Sequence, residues 1–540
     1  MWRGHRARTI VIGLATVIFV VCSVLPLVHL LITTVANAGG TPYASLLLDS
    51  RQRGLLYNTA LLGIGAAVGA TAIGVPLGIV LARVPVRQKT LIRLVLAAPA
   101  LLPPYIVALA WTYLGGSRGV LAAAFGLDVF SEWTYSLPAA ILVLSVVFYP
   151  LSMLAAEVAM RRIDGGLEEA ALIVAPPTRV LCRITLPLAA PSVLAAALIV
   201  FVMAVSEFGV PGLLRVRVYT TEVFTAFAAL FDFRRAMLTA LPLLLMCAAI
   251  AGVAVVIAGE RLVAPRRRTG TRPPAFESWG KSAEGAVVVV IVVAVVLPVV
   301  ILVREASAAR PLSAVFAGSG QAITNSLVLS AAGATAIVLV ATVLGYARAR
   351  AGDRFARLAD VAFVVLFAVP STIVGVGLIG LWNRPGLVGS AYGTDAMFLL
   401  AHLARFLPVA ALVLAASVRY VPQSHEEAAA VSGAGWSRTM TRIVTPQIRL
   451  GLAAAWVIAF VLCFGELGAS ILIAPPGEST LPIRIYTIIA NTPSSHIAAL
   501  ALLQATVIFA PLVALGAVMS LAQSFQSESV PGAMAGRTPS

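Results

Sequence analysis

Apolar runs of twenty or more residues recur along almost the whole chain, separated by short segments that carry most of the arginines. About twenty such residues in a helix cross the hydrocarbon core of a bilayer. Reading for these runs predicts spans near 10–35, 56–82, 92–115, 136–159, 188–214 and 236–260. A second set is predicted near 284–303, 323–347, 358–382, 395–418, 450–474 and 497–522. Charged residues make up only 11% of the 540 residues, against roughly a quarter in soluble domains. The runs are continuous and rich in Ala, Leu and Val, whereas barrel strands would alternate in polarity over about ten residues. The expectation is an all-α integral membrane protein of about twelve transmembrane helices.

The formal net charge of +16 is spread as short arginine clusters between spans, which is how a membrane protein is oriented, and it excludes a nucleic-acid role. Arg and Lys fall mostly on the side that holds the N-terminus, so the positive-inside rule predicts cytoplasmic N- and C-termini. The cluster Arg215, Arg217, Arg234 and Arg235 lies on the opposite side and weakens that count without reversing it. The first run follows Arg3, Arg6 and Arg8 and is longer than a signal-peptide core, so it reads as a retained span. Cys22, Cys247 and Cys463 lie in apolar runs and Cys182 in a basic loop, which predicts free thiols.

The chain also matches itself. At an offset of 267, Asn58-Thr59 meets Asn325-Ser326, Gly78 meets Gly345, Arg83 meets Arg350, and Pro103-x-x-Ile106-Val107 meets Pro370-x-x-Ile373-Val374. At 258, Pro150 meets Pro408 and Glu168-Glu169-Ala170-Ala171 meets Glu426-Glu427-Ala428-Ala429; at 259, Glu207-x-Gly209 meets Glu466-x-Gly468. Alanine or leucine matches would be cheap in this composition, but Asn, Pro, Arg and Glu at fixed register are not. The predicted organisation is a first six-span unit at 1–262, a basic linker at 263–282, a second six-span unit at 283–525 and a disordered tail at 526–540. With six spans each, the units share one orientation, as parallel repeats.

Two loops carry a recognisable motif. One reads Glu169-Ala170-Ala171-x-x-x-Ala175 and then Ile184-x-Leu186-Pro187; the other reads Glu427-Ala428-Ala429-x-x-x-Gly433 and then Ile443-x-Thr445-Pro446. Each resembles the Glu-Ala-Ala loop of the membrane-spanning subunits of bacterial ATP-binding-cassette importers, and spans flank both motifs in the expected order. The first copy departs from the pattern, with Ala175 for glycine and one residue fewer before the proline. The resemblance implies two tandem parallel six-helix repeats of the MetI-like importer type in a bacterial inner membrane. It also implies that Glu169, Ala170, Ala171, Ala175, Glu427, Ala428, Ala429 and Gly433 couple the chain to two ATP-binding-cassette ATPase subunits, which bind ATP and Mg. An extracytoplasmic binding protein would deliver the solute. Leu102-Pro103-Pro104-Tyr105, Phe464-Gly465-Glu466-Leu467-Gly468 and the stretch from Pro475 to Tyr486 are similar to the iron(III)-type permeases. That points to ferric iron, with thiamine or aminophosphonate as alternative solutes.

The chain itself carries no sign of an enzyme. Gly280-Lys281-Ser282 resembles the end of a phosphate-binding loop, but Ala275 stands where the first glycine is required and a span follows it. The five histidines are dispersed, and no metal site is expected. An ion-coupled secondary transporter is the competing class, and it would need no Glu-Ala-Ala loops. Glu207 and Glu466, placed within the fifth and eleventh spans, have two readings. They line a translocation path, or they are buried carboxylates bonded to backbone or hydroxyl at a helix end; their repetition suits the second. Arg405, also inside a span, is expected to partner a carboxylate.

Overall fold

The computed structural model describes residues 2–36, 49–86, 88–117, 119–125, 129–258, 280–309 and 312–528, and within them the regular elements are helices. Most of the linker expected at 263–282 and of the tail expected from 526 lies outside the described residues, although the last helix runs to Glu528. Among the described residues ten helices are long and apolar enough to cross a membrane, or up to twelve if each of two bent pairs is one span.

In the N-terminal half, α1 comprises Trp2–Phe19, a π turn at Val20–Val24 and Leu25–Ala36. Then come α2 (Ser50–Arg83), α3 (Lys89–Ala97), α4 (Pro104–Gly115), α5 (Leu137–Arg161) and α6 (Gly165–Leu172). α7 joins Pro177–Val180, a π turn at Leu181–Thr185 and Leu186–Ser206, and α8 (Gly209–Leu213), α9 (Tyr219–Phe224) and α10 (Phe233–Ala258) follow. The C-terminal half opens on α11, with Gly280–Ile291, a π turn at Val292–Val296 and Leu297–Ala306. It continues through α12 (Gly320–Ala349), α13 (Asp353–Ala368), α14 (Ser371–Trp382), α15 (Ala396–Arg419) and α16 (Gln423–Val431). It closes with α17 (Trp436–Gln447), α18 (Arg449–Phe464), α19 (Ser470–Ile473), α20 (Leu481–Ile488) and α21 (Ser494–Glu528).

Prolines set the irregularities. The π turns in α1, α7, α11 and α17 each end two residues before a proline: Pro26, Pro187, Pro298 and Pro446. A proline lacks its N–H and its ring presses on the carbonyl four residues back. Widening the preceding turn relieves both demands without ending the helix. Pro103 and Pro370 act differently. Each takes an extended ψ, 129° and 139°, just ahead of the next helix. The predicted spans at 92–115 and 358–382 are therefore broken, and α13 meets α14 at 94°. The predicted span at 450–474 is likewise shortened: α18 stops at Phe464, and it meets α17 at 77°.

Glycines allow the tightest helix contact. A Cβ on Gly74 would lie 2.6 Å from the Tyr149 carbonyl oxygen, and one on Gly78 2.7 Å from that of Met153. Gly345, the sequence match of Gly78, stands in the same relation to Ala411 and Ala415 on α15, both at 2.9 Å. Small residues at this spacing let backbones approach where no hydrophobic drive acts between helices in lipid. The first helix of each half crosses to the other: α1 packs on α14 and sets Phe19 edge-on to Phe363 of α13 at 5.4 Å, and α11 packs on α4. Tyr105 Oη donates to Gln504 Oε1 at 2.5 Å and Ser206 Oγ to the Ala368 carbonyl at 3.3 Å, closing the seam between the halves.

Candidate functional site

The two Glu-Ala-Ala segments form the short helices α6 and α16, held at the ends of α2 and α12. Asp164 starts α6 by accepting from the Gly166 N–H at 3.0 Å, an N-cap. The first glutamate of each motif then turns inward. Glu168 Oε1 accepts from Arg83 Nε at 3.3 Å, from Arg83 Nη2 at 3.1 Å and from Thr185 Oγ1 at 2.6 Å. Arg83 Nη2 also donates to the Met160 carbonyl at 2.7 Å, and both charged side chains are 0% exposed. In the C-terminal half Glu426 accepts from Arg350 Nε at 2.8 Å and Nη2 at 2.6 Å, and from Tyr346 Oη at 2.8 Å. The sequence aligned Arg83 with Arg350 and Glu168 with Glu426 but could not say that they are partners; the signal was there, since charges repeat at one register in both halves.

The second glutamates, Glu169 and Glu427, are exposed, as are Ala170 and Ala428, while Ala171 is half-buried and Ala429 buried. Around them the surface presents Ile173, Val174 and Val431, each more than four-fifths exposed, and the basic Arg179, Arg183, Arg438 and Arg442.

Gly433 and Ala175 end the two helices by different devices. Gly433 has φ +78°, its N–H bonds the Ala430 carbonyl at 3.1 Å, and the Ala434 N–H bonds that of Ala429 at 2.9 Å. This is the paired bonding of a left-handed glycine cap. Alanine is disfavoured there. Ala175 instead bonds the Ala171 carbonyl at 2.9 Å with no left-handed residue, and Pro176-Pro177 starts α7 directly. The glycine replacement and the missing residue are thus one change.

Deep between the halves lies a cavity of about 160 Å³, whose lining includes Phe148, Phe406, Glu207, Glu466, Ser371 and Arg405. The two glutamates sit just past the ends of α7 and α18, not within the spans as predicted, because the chain breaks there into α8 and α19. Glu207 Oε1 accepts from the Gly209 N–H at 2.9 Å. Glu466 accepts from Ala469 N at 2.9 Å and Ser470 N at 2.8 Å, and from the Ser470 hydroxyl. Each carboxylate holds the turn into a short helix and also faces the cavity. Arg405 departs from expectation: no carboxylate among the described residues stands within ion-pair distance, and its buried Nε and Nη1 have no acceptor.

At the opposite end of the bundle the repeated Asn-Thr and Asn-Ser pairs do matching work. Thr59 Oγ1 accepts from the Tyr219 N–H at 3.0 Å and Ser326 Oγ from the Leu481 N–H at 2.6 Å, each at the first residue of a helix. Asn58 and Asn325 donate to the Arg217 and Ser479 carbonyls just ahead of those helices, at 3.1 and 3.4 Å. Both pairs clamp the segment after the broken turn onto the long second helix of their half.

Comparison with known proteins gives a consistent answer. Residues 337–525 match the family model of the binding-protein-dependent transport system inner membrane component. The chain is 23% identical over 469 residues to the Fe(3+)-transport system permease protein FbpB 2 of Haemophilus influenzae, covering 86% of this chain and 89% of that protein. It is 36% identical over 187 residues to a putative ABC transporter permease protein of Streptomyces antibioticus, covering 34% of this chain and 77% of that one. A putative 2-aminoethylphosphonate transport system permease protein of Salmonella typhi is 31% identical over 170 residues, 30% of this chain and 59% of that protein. With its bundle of membrane-length helices, the chain belongs to the inner-membrane components of binding-protein-dependent transport systems, the permeases of ATP-binding-cassette transporters.

Proposed function

We propose that this permease carries ferric iron, delivered by an extracytoplasmic binding protein, across a bacterial inner membrane. Two six-span units at 1–262 and 283–525, joined by the basic linker, would form the path, with both termini cytoplasmic. The observation that carries the reading is the pair of anchored Glu-Ala-Ala helices. In each, the first glutamate is tied to the end of a long span, and the second faces outward among exposed apolar and basic residues. That surface suits docking of one ATPase subunit per helix, with ATP and Mg bound in those partners. The ion pairs Glu168–Arg83 and Glu426–Arg350 tie α6 and α16 to the ends of α2 and α12, and through them movement of the short helices would pass to the long ones. Closure of the ATPase pair would draw the two helices together and open the path toward the binding protein; hydrolysis would reset it. The iron assignment is supported by similarity along most of the chain to the Haemophilus influenzae Fe(3+) permease. Aminophosphonate, which the Salmonella typhi relative's name specifies, is the alternative solute.

The test is purification from the native membrane in mild detergent. An ATPase subunit should co-purify with the wild type and be lost in Glu427→Arg, while membrane insertion is unchanged. Glu169→Arg should be milder, because its loop lacks the glycine-capped form of the motif. Retention of the ATPase and of normal iron uptake in Glu427→Arg would refute the docking role.

A further inference from the structure

The central cavity is lined by residues that the sequence repeat matches in pairs: Phe148 with Phe406, Pro104 with Ser371, Glu207 with Glu466. Among the lining residues one position differs from its counterpart in charge. Arg405 on α15 stands where the N-terminal half has Val147. A guanidinium at this depth is costly unless it is paired or serves a water-filled cavity. Neither nearby carboxylate pairs with it. Glu466 spends both oxygens on the α19 backbone and the Ser470 hydroxyl, and Glu207 spends Oε1 on Gly209. Arg405 contacts the Phe406 ring, its guanidinium carbon 5.6 Å from the centroid, and leaves Nε and Nη1 without acceptors.

Arg405 therefore keeps two fixed donors without acceptors, while of the four carboxylate oxygens only Glu207 Oε2 is uncommitted. A planar guanidinium presents its N–H groups in a fork that fits two oxygens of a carboxylate, phosphate or phosphonate. About 160 Å³ is room for roughly five waters at bulk volume, enough for one tetrahedral oxyanion. Among the described residues no three His, Cys, Asp or Glu come together as metal ligands. We propose that Arg405 is an oxyanion-binding subsite on the translocation path, so that the solute passes as an oxyanion or as a ferric ion still carrying an oxyanion ligand, never as a bare trivalent cation. The inference rests on the permease reading and specifies the solute's chemistry at this point of the path.

The test has two arms. In the purified permease–ATPase complex, phenylglyoxal labelling read by mass spectrometry should modify Arg405, and phosphate or citrate should slow that modification while chloride at equal ionic strength does not. An Arg405 that never reacts, or reacts at the same rate with every anion, overturns the subsite. In proteoliposomes holding the complete transporter, uptake of radioactive iron as ferric citrate and of labelled 2-aminoethylphosphonate distinguishes the two sources of the oxyanion. Arg405→Met should lower uptake of the accepted solute by about tenfold or more, the worth of one charge-assisted hydrogen bond, and Arg405→Lys should lower it less. Co-elution with the ATPase shows that each variant has folded. Unchanged uptake in Arg405→Met overturns the proposal. Should the wild type take up neither solute, the iron and phosphonate readings fail, and the labelling arm still decides the subsite.

Discussion

Replacing Glu168 by alanine would leave one of the most enclosed charges in the molecule without its counter-ion. Arg83 would keep only the Met160 carbonyl, and the Thr185 hydroxyl would lose its acceptor. Both members of the pair are 0% exposed, so no water reaches the freed guanidinium without local opening. Breaking a buried ion pair from one side costs about 3–5 kcal/mol, and Glu168→Ala should fall in that range. Glu426→Ala should cost less, about 1.5–3 kcal/mol, the worth of hydrogen bonds to a charged group. Arg350 and Glu426 are 9% and 15% exposed, which lets water take over part of the role. Glu169→Ala removes an exposed side chain and should stay within about 0.5 kcal/mol. The assay is reversible unfolding of the purified permease by detergent titration, followed through its tryptophans. The double variant Arg83→Met/Glu168→Leu should recover most of the loss, because neither charge is then taken out of water. A cost for Glu168→Ala no larger than that for Glu169→Ala would refute the argument, as would a double variant no more stable than the single one.

Two further outcomes follow from backbone geometry. Gly433→Ala meets no steric neighbour, so its cost is the left-handed φ alone, about 1–2 kcal/mol; the same titration measures it, and Ala175→Gly should show no matching gain. Thr59→Val removes the acceptor of the buried Tyr219 N–H and should cost about 1–3 kcal/mol. The loss should appear as faster proteolysis in the segment before α9.

Much of this architecture is legible in a linear reading. The spans are visible because lipid demands long apolar helices, and both Glu-Ala-Ala helices are visible because their residues are charged, periodic and doubled. The breaks were harder to see. Pro103 and Pro370 lie within apolar runs as Pro26 and Pro298 do, yet the first pair ends a helix and the second only widens a turn. The difference lies in what surrounds each proline, which hydropathy does not report. Glu207 and Glu466 bond backbone at a helix end, one of the two readings the sequence leaves open, but their place beyond the span depends on those same breaks.

Arg405 marks the limit most clearly. An arginine inside a span points to an ion pair with some carboxylate, and the fold instead commits the two carboxylates beside it to backbone N–H groups and leaves the guanidinium facing the cavity. Composition and register by themselves determined that the chain crosses the membrane many times, that its halves match, and which loops carry charge, because those properties follow from each residue's preference for water or lipid. Only the tertiary structure decided which charges meet, since hydrogen bonds and ion pairs act over about 3 Å between residues such as Arg83 and Glu168 that lie far apart in sequence.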